Sequence, residues 1–396
     1  MRRTLITLWT AAALASAPLP LAASEASRDA MWPRQLQHKV LGFYRRGFTG
    51  SIHLYVKDVS SGVRYTHNAA TPAYLASVVK VPFMISLFDM IERGEASLDE
   101  VVVYKQSHVR GGSPLFNYMP VGAQVPMRLV VEAMIQQSDN AASDIVANRV
   151  GLDRVNADVA RFGWEGFGRM TSLLEVRRLV FGRIDRRFDA LGPSTIRGID
   201  YAKGADSKAV KLNEIFGVAA GTYTAEDIEH AYAGYYASGV NSAPMESIGQ
   251  MLEALALGKV VSRRASEAMV EMMLGTQTGE GRISARLPPS ARIAHKTGTQ
   301  YRRTCDVGIM YLAVDRPVVF AACLSGGSGG RRDAVISTLA RATYDLLTPE
   351  RHAQVRGGHP KRRLKKKRVR RRKRAPDRSA RETARPSPPP APAPRE

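Results

Sequence analysis

The sequence predicts a mixed α/β domain of the α+β kind, in which the N- and C-terminal segments form one antiparallel sheet flanked by helices and an all-helical lobe is inserted between them. Strand-like runs stand only near the two ends of the chain, at residues 52–57 and 63–65 and again at 293–297, 307–312 and 318–324. From about residue 94 to 289, apolar residues recur instead at the three-four spacing of amphipathic helices. A hydrophobic content of 44% over 396 residues supports a substantial core.

Taken in order, an amphipathic segment at residues 35–44 leads into the alternating run Ile52-His53-Leu54-Tyr55-Val56-Lys57. A turn at Ser60-Ser61-Gly62 makes this run and Val63-Arg64-Tyr65 a hairpin. Residues 76–90 are apolar on every side of a helical wheel, the mark of a helix inside a core, and this helix ends near Arg93-Gly94. Helical periodicity continues at residues 127–137, 141–150, 155–162, 225–236, 247–257 and 262–273. The three last strand-like runs read as a meander, and the glycine-rich residues 325–330 hinge into a final helix. Val335, Ile336, Leu339, Ala342, Thr343, Leu346 and Leu347 form its apolar stripe. Residues 178–221 are rich in charge and glycine, and no pattern places Arg183, Arg186, Arg187 or Lys208.

The ends have a different character. Met1-Arg2-Arg3, a short apolar run and Leu21-Ala22-Ala23-Ser24 follow the order of a secretory signal peptide, expected over residues 1–24. Pro18 and Pro20 interrupt the run below membrane-spanning length, which disfavours an anchor, and no transmembrane span is expected in the mature chain. The folded domain is then expected over residues 25–350, in a periplasmic or extracellular monomer. Residues 356–396 hold 17 Lys and Arg against 3 Asp and Glu, +14 of the chain's net +22. Such a basic, Pro-rich tail, assigned to residues 351–396, is expected to be disordered. Export makes nucleic acid a poor partner for it, and no aromatic residues stand among the basic positions to stack on bases; an anionic envelope surface fits better. A merely solvated tail is an equal alternative. Cys305 and Cys323 lie near ends of adjacent strand runs that an antiparallel pairing would bring together, so a disulfide and two free buried thiols both remain open. No metal or cofactor is indicated by residue spacing.

Within the core helix, Lys80 lacks an inexpensive place for its charge, and Ser77 stands one turn before it. A hydroxyl beside a perturbed amine is the minimum for an activated nucleophile. Taken alone, the pair is more simply a snorkelling lysine and a capping serine. Ser138-Asp139-Asn140 interrupts two helical runs and alone reads as a helix N-cap. Lys296-Thr297-Gly298-Thr299 alone reads as an edge strand.

In this order the three motifs resemble the S-x-x-K, S-D-N and K-T-G set of class A β-lactamases and penicillin-binding proteins, over residues 48–348. The resemblance implies a β-lactamase/transpeptidase-like fold with the site in a groove between lobes. It implies Ser77 as the nucleophile, Lys80 as the amine that takes or relays its proton, and Ser138 as proton donor to the leaving nitrogen. Asn140 would hold the substrate's side-chain amide, Lys296 would supply positive potential, and Thr297 and Thr299 beside Gly298 would bind the substrate carboxylate.

One element departs from the pattern. Class A enzymes carry an E-x-x-L-N element whose Glu activates the deacylating water. Counting forward from Ser138 reaches Glu175, but Leu179 stands where Asn is expected; counting back from Thr222-Tyr223-Thr224 reaches Leu212-Asn213, with Ala209 at the Glu position. A split element, Glu175 from one end and Asn213 from the other, would satisfy both counts. The expected function is therefore a class A-like β-lactamase acting on a small-molecule lactam. The alternatives are a penicillin-binding D-Ala-D-Ala peptidase acting on wall peptides and a non-catalytic envelope-binding protein.

Overall fold

The computed structural model of the protein describes residues 21–348 except 314, with side chains from residue 31 onward. Residues 1–20 of the signal peptide expected over residues 1–24, and the basic tail of residues 351–396, lie outside the described residues.

Helix α1 (Leu21–Arg45) leads to the hairpin of β1 (Ile52–Asp58) and β2 (Arg64–His67), and then to a two-residue strand β3 (Ala73–Tyr74). A 3₁₀ turn, Ala76–Val79, precedes α2 (Lys80–Glu92). The lobe that follows contains β4 (Val101–Val103), β5 (Gln124–Pro126), α3 (Met127–Gln136), α4 (Asn140–Val150) and α5 (Leu152–Arg161). It continues through α6 (Leu173–Phe181), α7 (Pro193–Tyr201), α8 (Gly204–Phe216), α9 (Ala225–Ala237), β6 (Ser242–Ala243), α10 (Met245–Ala256) and α11 (Arg263–Leu274). The chain returns to the sheet with β7 (Arg292–Gln300), β8 (Arg303–Ala313) and β9 (Arg316–Ser325), and α12 (Gly329–Leu347) follows.

The main sheet has the order β2-β1-β9-β8-β7, antiparallel throughout, so the N-terminal hairpin pairs with the C-terminal meander as expected. Its strict alternation sorts side chains into two cores. Val318, Phe320, Ala322 and Leu324 of β9 pack with Trp32, Leu36 and Val40 of α1 and with Val335, Ile336 and Leu339 of α12. Val319, Ala321 and Cys323 face the other way, against α2 and α10. Cys305 and Cys323 stand opposite each other in β8 and β9 and are joined in a disulfide.

The structure departs from the sequence reading in three places. The helix expected from Ala76 begins as an α-helix only at Lys80, because Ala76 takes a positive φ of 49° and the next turn is 3₁₀. In a 3₁₀ turn residues i and i+3 eclipse, which sets Ser77 directly in line with Lys80. The short pairs β3–β6 and β4–β5 were not expected inside a helical lobe. The unreadable stretch after Arg178 forms the end of α6 and all of α7 and α8, which bury Ile196, Ile199, Ala205, Ala209 and Leu212. Lys208 finds its place there, its Nζ donating to the carbonyls of Ile199 and Ala202 at 2.9 and 2.7 Å and closing the end of α7. Among the described residues, no helix is long and apolar enough to cross a membrane.

Candidate active site

Three segments meet at Ser138. Its Oγ accepts hydrogen bonds from Lys80 Nζ at 3.2 Å and from Lys296 Nζ at 2.9 Å. Lys80 also donates to Ser138 O at 2.6 Å and to Asn140 Oδ1 at 2.9 Å. Both amines are fully buried, at 0% exposure. Burial pushes Lys80 down to about 7, outweighing the opposite pull of Asp139 and Asp144. Lys296 is lowered well below its ordinary range, by burial first and then by the neighbouring Lys80 charge. Burial and the mutual repulsion of the two charges both favour a neutral lysine, the form a proton acceptor requires.

The local backbone explains why these groups converge. Asp139 caps α4, its Oδ1 accepting from Ala142 N at 2.9 Å, while Oδ2 accepts from the amides of Leu115 and Phe116, each at 3.1 Å. The middle residue of the motif is the helix cap, while Ser138 accepts from both lysines and Asn140 accepts from Lys80. Ser138 adopts a positive φ of 58°, a strained conformation for a non-glycine residue and one that clusters at functional sites. Ala76, just before Ser77, is strained in the same way.

Ser77 is half-buried, and its hydroxyl makes no hydrogen bond to any other described residue. Strand β7 lies against its turn so closely that a Cβ on Gly298 would stand 2.5 Å from Leu75 O. Only glycine permits that approach, which brings the Lys296-Thr297-Gly298-Thr299 edge beside Ser77. Thr297 Oγ1 shares a hydrogen bond with Thr278 Oγ1 at 2.6 Å, and Thr299 Oγ1 accepts from Arg282 Nη2 at 2.6 Å. Arg282 is buried and further held by Asp333 and by the carbonyls of Gly298 and Cys305. Sequence reasoning missed it, since a lone arginine in Gly279-Glu280-Gly281-Arg282 belongs to no periodic pattern; only its contact with Thr299 marks it.

Glu175 is not brought to this cluster. It lies in the first turn of α6, whose N-terminus is held elsewhere: Ser172 caps it, and Asp144 accepts from the amides of Leu173 and Leu174 at 2.6 and 3.0 Å. Glu175 lines an open surface cavity with Arg178, Arg183, Arg186 and Asp189, and no hydrogen bond joins it to a site residue. No hydrogen bond joins Asn213 to Glu175 or to the cluster either. Asn213 is engaged with the backbone of Tyr223, Nδ2 donating to its carbonyl at 3.0 Å and Oδ1 accepting from its amide at 2.9 Å. The α6 residue whose charge reaches Lys80 is instead Arg177. Among the described residues, no group of three or more His, Cys, Asp or Glu is placed to hold a metal ion.

This fold, with two buried lysines converging on one serine and a second serine one turn before the first lysine, defines a serine β-lactamase-type hydrolase of transpeptidase-like architecture. The chain belongs to the beta-lactamase enzyme family, whose model matches residues 35–347. It is 20% identical over 283 residues to the extended-spectrum beta-lactamase PER-1 of Pseudomonas aeruginosa, covering 69% of this chain and 74% of that protein. Among solved structures it resembles a beta-lactamase from Chitinophaga pinensis DSM 2588 at TM-score 0.60 and 20% identity, covering 80% of this chain and 99% of that one. It also resembles an ancestral class A beta-lactamase at TM-score 0.58 and 19% identity, covering 78% and 99%. At such identities the solved structures establish the fold alone.

Proposed function

We propose that the protein hydrolyses the β-lactam amide through an acyl-serine intermediate on Ser77. The observation that carries this is the convergence of Lys80 and Lys296 on Ser138 Oγ, with the unengaged Ser77 hydroxyl one turn before Lys80. Ser77 Oγ attacks the lactam carbonyl and its proton passes to neutral Lys80; Ser138 then delivers a proton to the departing ring nitrogen. The backbone amides of Ser77 and Thr299 receive the oxyanion. Asn140 takes the side-chain amide of the substrate. Thr297 and Thr299, with the guanidinium of Arg282 behind them supplying positive potential, bind the carboxylate.

A second reading is favoured by one observation: no carboxylate hydrogen-bonds to Lys80, Ser138 or Lys296 among the described residues. An acyl-enzyme without a water-activating carboxylate would persist, as in a penicillin-binding D-Ala-D-Ala peptidase. Time-resolved mass spectrometry of the intact protein separates the two. Hydrolysis predicts an adduct that is present while lactam remains and disappears once the lactam is consumed; an adduct that outlasts free lactam supports the peptidase. Because Glu175 makes no hydrogen bond to the cluster and lines a surface cavity instead, Glu175→Gln is expected to release the acyl group at the wild-type rate, and a slower release in that variant restores Glu175 as the base.

The charged N-terminus and short apolar run support secretion, and a disulfide between Cys305 and Cys323 suits an oxidising compartment. N-terminal sequencing of the protein made in its own host is expected to begin near residue 25. A chain that still starts at Met1 contradicts export by this route.

A further inference from the structure

A small cavity beside Asn140 carries more positive charge than its surroundings use. Of about 10 Å³, with room for a single oxygen atom, it is lined by Arg110, Gly111, Asn140, Arg177, Arg197 and Asp200, among others. Helix α7 closes it. Asp200 presses on Gly111 so tightly that a Cβ there would lie 2.2 Å from the Asp200 Cβ. Gln106 and Asn117 tie α7 to the loop carrying Gly111, through Ser194 Oγ at 2.6 Å and Tyr201 OH at 3.1 Å. Gly111 O in turn accepts from Asn140 Nδ2 at 2.8 Å, so the cavity directly adjoins the proposed acyl-side end of the groove.

The three arginines are not equally occupied. Arg110 is committed to Asp144 at 2.6 Å and to the carbonyls of Ser107 and Val109. Arg177 gives its Nε to Asp200, but its Nη1 is buried with no hydrogen-bond partner. Arg197, half-buried, makes no hydrogen bond or ion pair among the described residues. Two carboxylates, Asp144 and Asp200, face three guanidinium groups, which leaves one positive charge uncompensated. A buried N–H donor without an acceptor is costly and marks a place where an acceptor is expected to bind.

We infer that Arg177 and Arg197 form a carboxylate subsite, and that the preferred substrates carry a carboxylate on the acyl side of the amide that is cleaved. The inference rests on the proposed acylation of Ser77 and adds a substrate class to it. One carboxylate oxygen enters the cavity against Arg177 Nη1, and the other meets Arg197.

The test uses the full-length protein and a matched set of penicillins: benzylpenicillin, α-carboxybenzylpenicillin, and the methyl ester of that side-chain carboxyl, which keeps the bulk and removes the charge. Second-order acylation rates, read by mass spectrometry, are expected to favour the carboxylate over both others by about tenfold, the scale of one charge-assisted hydrogen bond in a partly screened site. In Arg177→Gln and in Arg197→Gln this ratio is expected to fall toward one. Arg197 is half-buried and outside the Arg177–Asp200 pair, so it reports on the subsite even where Arg177→Gln fails to fold. A purely structural role would change all three rates together and leave the ratio intact. Equal rates in the wild type, or a preference that survives in Arg197→Gln, would mean that the cavity holds only water and overturn the subsite. Failure of all three penicillins to acylate Ser77 would instead overturn the proposed function, and the subsite with it.

Discussion

Replacing Ser77 with alanine is expected to abolish covalent labelling by a fluorescent penicillin and to lower β-lactam turnover on the order of 10⁴- to 10⁶-fold, as removal of a nucleophile does in other serine hydrolases. The effect is expected to be chemical rather than structural. Ser77 is half-buried and its hydroxyl makes no hydrogen bond to another described residue, so deleting it leaves no buried polar group unpaired. The melting temperature of Ser77→Ala should therefore stay close to that of the wild type. Retained labelling in a folded Ser77→Ala variant would remove the serine from the mechanism.

Lys80→Met is expected to slow acylation by about 10²- to 10⁴-fold, the usual contribution of a positioned general base. Methionine fills the volume of the lysine stem within an apolar helix but accepts no proton. Since burial pushes Lys80 down to about 7, its neutral, proton-accepting form is populated above that pH. Acylation by the wild type should accordingly rise with pH through about 7 and then level off. The midpoint belongs to the coupled Lys80–Lys296 pair rather than to one amine. That rising limb should be missing from the residual activity of Lys80→Met. Stability moves in the same direction with pH: the native state binds fewer protons than the unfolded chain between about 7 and 10.5, so the wild type loses stability from this group as pH falls across that window. The variant lacks this loss. A low rate in Lys80→Met cannot then be ascribed to unfolding at neutral pH if its melting temperature is at or above that of the wild type.

Much of this site was legible in the sequence because its chemistry is written in short motifs whose surroundings are informative. Lys80 stood in an apolar helix with no room for charge, and the structure gives it acceptors on Ser138 and Asn140 rather than a path to solvent. The sheet was legible for a similar reason: the alternation along residues 52–57 and the unbroken apolar run at residues 318–324 leave one arrangement that buries both faces of the latter strand. Two kinds of feature were not. Arg282 and Arg177 act through contacts made across the fold, and neither sits at a spacing that single-sequence reasoning can weigh. Glu175 and Asn213 were reached by counting from opposite ends of a stretch in which α7 and the start of α8 separate them, and position along a chain does not specify a place in space once helices are inserted. The 3₁₀ turn at Ser77 depends on the backbone at Ala76, whose left-handed conformation no residue-type preference predicts.

The most direct test of the central claim is peptide mapping by tandem mass spectrometry after brief exposure of the wild-type protein to benzylpenicillin. The account predicts one penicilloyl group per chain, on the peptide that contains Ser77 and on that residue within it. No adduct in the folded protein, or an adduct carried by Ser138 or any other residue, would contradict it.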